Sequence, residues 1–380
     1  MSFILIITGE NSGEKYGARL VHEFKKLRPS FQFFGIGGQE MEREGVDLLY
    51  SIQEMGLVGG LEVVSHFPRL IKIFNHLKKE IHLKKPKAAV LIDSPDFNLR
   101  LAKKLKKYSI PILYYVSPTV WAWRKKRLET IRKTVSKMLL IFPFEEKIYQ
   151  SHQIPAAYIG HPLSEITSLS LTKEEFYQKY ELNPQKKIIA LMPGSRKSEL
   201  KFHLPILLKA VAKMNKEFQA QFLLLKAENI ETELLEKFLL HSKNSLKILT
   251  NSKYEALAYS HLALAACGTS NLEAALLGTP LISFYRIFPF TYILGVKFIK
   301  IKNYSIVNIL AGKRIIPELI QRNFTPEKIF QQTTSILESD KIKSIMVRNF
   351  QEIKKTLVRG QPSLRAAQEL EKLVRFQPEA

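Results

Sequence analysis

Ala88-Ala89-Val90-Leu91-Ile92-Asp93-Ser94-Pro95-Asp96-Phe97-Asn98 is the stretch whose reading decides the fold. Its first part is an unbroken apolar run with β-branched Val90 and Ile92, the pattern of a strand buried on both faces of a parallel sheet. Ser94-Pro95 ends the run, because proline brings no N–H and restrains the residue before it. Asp93 is thereby placed at the carboxyl end of a buried strand. Open α/β sheets bind ligands at that edge. A carboxylate there can act as a general base when its neighbours tune it. A second reading stays open. Asp93 and Asp96 could simply cap the next helix, which Asp96-Phe97-Asn98-Leu99 would start well.

Upstream, residues 3–8 read as a strand, Gly9-Glu10-Asn11-Ser12-Gly13 as a tight turn and 14–27 as a helix. The glycines at 9, 13 and 17 suit either a ligand or close helix–sheet packing. Their spacing is not G-x-G-x-x-G, so they do not imply a dinucleotide. Strands at 32–36 and 48–50 follow. Residues 55–76 mix apolar side chains, Val63, Val64 and Phe67 among them, with glycines and basic residues. That pattern fits a helix lying in a membrane interface or an ordinary core-facing helix. Downstream, a strand at 110–116 runs into Ser117-Pro118-Thr119-Val120-Trp121-Ala122-Trp123-Arg124. Flat apolar rings beside basic residues suit a lipid, sugar or phosphate. Strands at 138–142 and 157–159 continue the alternation with helices, which argues for a doubly wound parallel sheet.

Residues 163–186 read as a polar linker, and a second α/β run begins at Lys187. After the strand 188–192, Pro193-Gly194-Ser195-Arg196 offers N–H groups and a guanidinium at a helix start, a phosphate-compatible turn. Cys267-Gly268-Thr269 after a strand ending at 266 is a second such turn. Glu273 follows Ser270 at capping-box spacing, so a local role and a binding role are both open. Asn308 falls in a loop, and 325–380 reads as helices. Two α/β domains joined by a linker are expected to face one another across a cleft.

The chain has 380 residues and a net charge of +23, from 58 Lys+Arg against 35 Asp+Glu. Such a balance points to nucleic acid, an acidic membrane face or phosphorylated substrates. Zinc spacing, an RNP-type aromatic motif and a basic arm are all missing, so nucleic acid is not expected as a partner. The single cysteine, Cys267, cannot form an internal disulfide, which fits a reducing cytoplasm. The start lacks a basic n-region and cleavage site, so no signal peptide is expected. No apolar run approaches the ~18 residues of a membrane-spanning helix. No carboxylate or histidine cluster suggests a metal, and no cofactor is expected.

Read in order, Gly9-Glu10-x-Ser12-Gly13, Ile92-Asp93-x-Pro95-Asp96-Phe97-Asn98, Tyr115-Val116-Ser117-Pro118-x-Val120-Trp121-Ala122-Trp123-Arg124, Ile159-Gly160-His161-Pro162, Pro193-Gly194-Ser195-Arg196, Gly268-Thr269-x-x-x-Glu273 and Asn308-x-Leu310-Ala311-Gly312 carry a resemblance. The chain resembles the lipid-A-disaccharide synthase family, glycosyltransferases with two Rossmann-like domains (GT-B). The resemblance implies an acceptor- and membrane-facing domain at 1–165, a UDP-sugar domain at 166–345, and helices at 346–380 crossing back to the first. It implies inverting transfer of 2,3-diacylglucosamine from UDP-2,3-diacylglucosamine to 2,3-diacylglucosamine 1-phosphate, with release of UDP. Asp93 would take the acceptor 6-hydroxyl proton, and Arg196 would stabilise charge on the leaving diphosphate. Ser195, Gly268 and Thr269 would bind that diphosphate, Glu273 would hold the ribose, and Asn308 would line the nucleotide pocket. Trp121, Trp123 and Arg124, with Val63, Val64 and Phe67, would face the acceptor and an anionic membrane surface. The place implied is the cytoplasmic side of the inner membrane, with a homodimer as a plausible state. Two positions depart from the pattern. Glu14 stands where the family has aspartate, and Val307 stands where a proline precedes the asparagine. Another membrane-surface GT-B transferase using a UDP-amino sugar, and a non-catalytic binder of anionic lipid, remain the alternatives.

Overall fold

Seven parallel strands form the first sheet of the computed structural model, which describes residues 2–55, 67–122, 124–240, 246–289, 292 and 302–375. They are β1 (Ser2–Thr8), β2 (Phe31–Gly37), β3 (Val46–Ser51), β4 (Ala88–Ile92), β5 (Ile112–Tyr115), β6 (Lys137–Leu140) and β7 (Ala156–Tyr158). Their order is β3-β2-β1-β4-β5-β6-β7. The second sheet holds β8 (Ile188–Met192), β9 (Gln221–Leu225), β10 (Leu246–Leu249), β11 (Leu262–Ala266), β12 (Leu281–Tyr285) and β13 (Glu318–Ile320), in the order β10-β9-β8-β11-β12-β13. Both orders reverse direction once, between β1 and β4 and between β8 and β11. Such a switch point leaves a crevice at the carboxyl ends of the strands.

The reason β4 sits centrally is its composition. Every residue from Ala88 to Ile92 is fully buried. Each large apolar side chain among them contributes about 1.5–3 kcal/mol by leaving water. In register, Ile92 pairs with Thr8 of β1 and with Tyr115 of β5, so three strands end level at the edge where Asp93 begins. The helix Asn11–Leu27 lies close against this sheet. A Cβ at Gly13 would meet Thr8 Oγ1 at 2.3 Å, so glycine there serves close packing.

The chain divides into two compact units, Met1–Glu165 with Thr356–Ala380, and Ile166–Lys355. The return to the first unit comes inside the helix Asp340–Leu357, later than residue 346. Met346 is buried against the Leu281 amide, which keeps most of that helix with the second unit. The helix Pro362–Arg375 packs on Asn11–Leu27, where Arg28 Nε donates to Glu371 (2.8 Å). The stretch expected as a polar linker is partly structured. Lys173–Lys179 is a helix with a Thr172/Glu175 capping box, and Phe176 is fully buried in the second unit. Asn308 lies in a short helix, Ile306–Ala311, started by the Ser305 hydroxyl, rather than in a loop. Val63, Val64 and Trp123 fall outside the described residues, as does the side chain of Phe67. From Phe67 to Lys84 the backbone is helical, and Ile73, Leu77 and Ile81 face the core.

Candidate active site

At the first sheet's edge the backbone leaves β4 through two residues that both have positive φ, Asp93 (+48°) and Ser94 (+44°). L-residues reach this left-handed region at a cost of about 1–2 kcal/mol each. Side chains hold them there. Asn98 Nδ2 donates to the carbonyls of Ile92 (3.1 Å) and Asp93 (2.8 Å). The Tyr114 hydroxyl donates to the Asp93 carbonyl at 2.6 Å. Burial above all, and then the Asp93 charge, keep that phenol protonated. Asp93 emerges half-buried at the switch point.

Neither aspartate occupies the cap position of the helix Pro95–Lys107. The cap position is Ser94, whose side chain makes no capping bond. Asp96 instead accepts from Arg124 Nη1 (2.7 Å) and Arg127 Nη2 (2.6 Å). This ties the Asp-x-x-Asp turn to the loop that carries Trp121. Arg127 is the better shielded of the two arginines, with 12% of its side chain exposed against 46% for Arg124. Glu14 accepts from the Glu40 amide (2.8 Å).

At the second sheet's edge, Gly194 turns the chain at φ +125°, and a Cβ there would strike Glu199 Oε2 at 2.3 Å. Glu199 organises the turn. Its Oε2 accepts from the amides of Ser195 (3.0 Å) and Arg196 (3.3 Å), and its Oε1 accepts from the Tyr285 hydroxyl (3.2 Å). The guanidinium of Arg196 lies 3.8 Å from Oε1. The Ser195 amide thus has an acceptor inside the protein, and its side chain is exposed. Below the turn, His203 Nδ1 meets the Pro193 carbonyl at 2.6 Å while Nε2 takes the Arg286 amide at 3.0 Å. Burial lowers its pKa, and the neutral ring clamps the turn.

The β11 edge is open. Gly268 and Thr269 are exposed, and a Cβ at Gly268 would meet nothing within 4 Å. The capping-box reading of Glu273 is not realised. Ser270 Oγ donates instead to the Ala266 carbonyl (2.9 Å). The Glu273 carboxylate is buried, with its Oε2 2.5 Å from Lys253 Nζ. Asn308 also differs from expectation. Its fully buried amide donates to the Ile316 carbonyl (3.0 Å) and Glu318 Oε1 (2.8 Å), and accepts from the amides of Ile315 (2.7 Å) and Ile316 (3.0 Å). All its donor and acceptor capacity is engaged. It shapes the 313–318 segment and does not itself line an open surface.

Sequence reading missed Tyr114, Arg127, Glu199, Lys253 and Asn271 as parts of these edges. Asn271 was within reach of it, because it stands after β11 as Asn98 stands after β4.

The same two-sheet architecture occurs in solved structures. UDP-GlcNAc 2-epimerase from Neisseria meningitidis, bound to UDP-GlcNAc, superposes with a TM-score of 0.65 at 12% identity, over 99% of this chain and 100% of that one. CalG4, the calicheamicin glycosyltransferase, gives 0.63 at 12% identity, over 100% of both chains. At such identities the likeness establishes the fold alone, the GT-B class of glycosyltransferases and epimerases. A family model described as lipid-A-disaccharide synthetase matches residues 4–369. Lipid-A-disaccharide synthase of Koribacter versatilis is 36% identical over 367 residues, 96% of each chain. That of Syntrophus aciditrophicus is 39% identical over 345 residues, 90% of each chain. The chain belongs to the lipid-A-disaccharide synthetase family, a family of glycosyltransferases.

Proposed function

We propose that this chain transfers 2,3-diacylglucosamine from UDP-2,3-diacylglucosamine to the 6-hydroxyl of 2,3-diacylglucosamine 1-phosphate, with inversion and release of UDP. The observation that carries the reading is Asp93, held at the switch-point edge of the first sheet by Asn98 and Tyr114. A carboxylate so fixed suits removal of a hydroxyl proton as that oxygen attacks the anomeric carbon. The bond to the diphosphate breaks in the same displacement, and negative charge grows on the leaving group. Arg196 at the second edge stabilises it. Thr269 and the exposed backbone at Gly268 contribute donors to the same diphosphate, together with the exposed Ser195 side chain. Glu273, oriented by Lys253, holds the ribose. Asn308 acts through the shape of the segment it braces.

The 1-phosphate and acyl chains of the acceptor suit Arg124 and Trp121. The charge of +23 draws the protein to an anionic inner-membrane surface. Among the described residues no helix is long and apolar enough to cross a membrane, and the attachment we propose is a peripheral one. The test is direct. Purified protein is mixed with both substrates and the products are read by mass spectrometry. Tetra-acyl disaccharide 1-phosphate and UDP, absent with Asp93→Ala, are expected. Product from non-acylated UDP-N-acetylglucosamine at equal rate would favour the broader transferase reading.

A further inference from the structure

Beneath the 116–122 loop lies a carboxyl group that the transfer step leaves unused. Glu145 begins the helix Glu145–Ser151 and is 1% exposed. The Phe142 amide donates to its Oε2 at 3.3 Å. Burial raises its pKa to about 8, and the Ser117 hydroxyl and the Phe142 and Ile141 amides only partly offset that rise. Ser117 Oγ also lies 2.7 Å from the Tyr149 hydroxyl, one turn further along the same helix. Trp121 meets Phe144 edge-on at 5.5 Å, and Phe144 stacks on Phe142 at 5.6 Å. The loop therefore rests on the 142–145 turn through the Trp121–Phe144 ring pair, and on the helix beyond it through the Ser117–Tyr149 pair, while Glu145 closes the turn by accepting from the Phe142 amide. It also stores strain. Val116 has φ +70°, which a β-branched residue adopts only where its surroundings impose it.

We propose that Glu145 is a positioning residue for the acceptor, holding the 117–121 loop in the shape that receives it. This rests on the acceptor reading of Trp121 and Arg124. The neutral acid does the holding, because a bare carboxylate among these rings would draw water into the seat. The groups around it bring little opposing charge. Tyr149 and Glu146 come from its own helix, Ser117 and Trp121 from the loop, and Tyr158 from β7, with the Arg359 guanidinium over the Tyr158 ring at 5.4 Å. His161 lies 5.3 Å from Phe142, and burial pushes its pKa down to about 3, so it is uncharged at neutral pH.

Two measurements on the full chain test this. The first follows Trp121 emission from pH 6 to 9 in a Trp123→Phe background, without substrates. A spectral change with a midpoint near pH 8, absent when Glu145→Gln is added, is expected. A spectrum flat with pH in the parent overturns the proposal, whatever the transfer assay shows. The second compares kinetics with both substrates in the otherwise unchanged chain. Glu145→Gln should keep acceptor KM within about twofold at pH 7 and lose the rise in acceptor KM between pH 7 and 9. Glu145→Ala should raise acceptor KM about tenfold with donor KM unchanged. If Glu145→Ala does not fold, Glu145→Gln decides alone. A persistent alkaline rise in Glu145→Gln, or donor and acceptor KM moving together, overturns the acceptor role. If the parent makes no disaccharide, the substrate reading falls, and the emission titration still decides whether Glu145 seats the loop.

Discussion

Asn98 and Asn271 occupy matching places in the two sheets, and the turns they secure are built differently. Each amide reaches back to the carbonyls at the carboxyl end of its strand. For Asn98 the acceptors are Ile92 (3.1 Å) and Asp93 (2.8 Å), and for Asn271 they are Ala265 (3.4 Å) and Ala266 (3.0 Å). In the second unit the turn beyond carries Gly268, in extended backbone open on its outer side. Ser283 also donates to Asn271 Oδ1 at 2.6 Å. In the first unit the turn carries Asp93 and Ser94, both left-handed, and Tyr114 adds a third hydrogen bond. One edge accepts backbone strain in order to present a side chain. The other uses glycine to present backbone. A side-chain carboxylate suits proton removal, and open backbone at a helix start suits a diphosphate.

The largest effect that could break this comparison is at Asp93. Asp93→Ala is expected to slow transfer by about 10²–10⁴, with UDP affinity by calorimetry unchanged. Loss of UDP binding would mean the two edges do not divide the work. Arg196→Ala is expected to lower kcat by about 10²–10³, or roughly 3–4 kcal/mol, if it meets charge on the leaving group. A change confined to donor KM would reduce Arg196 to ground-state binding.

The next effects are on stability. Glu145, with its pKa raised from the usual carboxylate value to about 8, binds its proton in the folded state over a range where the unfolded chain has lost it. Its contribution is therefore most favourable below the unfolded carboxylate value and declines as pH rises towards 8. The slope reaches about 1.4 kcal/mol per pH unit. His161, pushed down to about 3, acts in the opposite sense up to the ordinary imidazole range. Urea unfolding between pH 6.5 and 8 thus isolates Glu145. Both tryptophans of the chain belong to the first unit, so their emission reports that unit's unfolding. Glu145→Gln should flatten the slope, and an unaltered slope would assign it to another group. Asn308→Ala is expected to destabilise the second unit by about 1–3 kcal/mol, since it leaves buried amides and carbonyls unpaired. Circular dichroism melting checks this, and an unchanged melt would show that the segment it braces repacks. The smallest effect has the opposite sign. Ser94→Gly relieves a left-handed serine whose buried hydroxyl has no partner among the described residues. A gain of up to about 1 kcal/mol is expected from urea midpoints, and a loss would mean the strain lies elsewhere.

The parts of the fold legible in the sequence were those written in unbroken apolar runs. β4, β8 and β11 are each buried along their whole length, and the turns that follow them stand where the pattern stops. Elements whose burial is set by distant partners were not legible. Phe176 is a core residue in a stretch otherwise so polar that it read as linker. β13 is three residues long and includes Glu318, whose buried carboxylate accepts from the amides of Tyr304 and Ser305. The site shows the same limit. Asp93 could be placed from its own neighbours, but the partners of Asp96 lie 28 and 31 residues away. No local spacing distinguishes that ion pair from a helix cap. The burial of Glu145 and Glu199 is likewise a property of the assembled loops.

The helix Pro362–Arg375 has a consequence for synthesis. It buries Ala366, Ala367 and Leu370 and covers the helix Asn11–Leu27. A ribosome makes this cover only after the whole of the second unit, Ile166–Lys355, has emerged. Until then the nascent chain exposes the apolar flank of Asn11–Leu27, a surface open to aggregation and to chaperones. The second unit is continuous in sequence and meets no such delay. Domains usually fold in the order of translation, but here the residues translated earlier belong to the unit completed later.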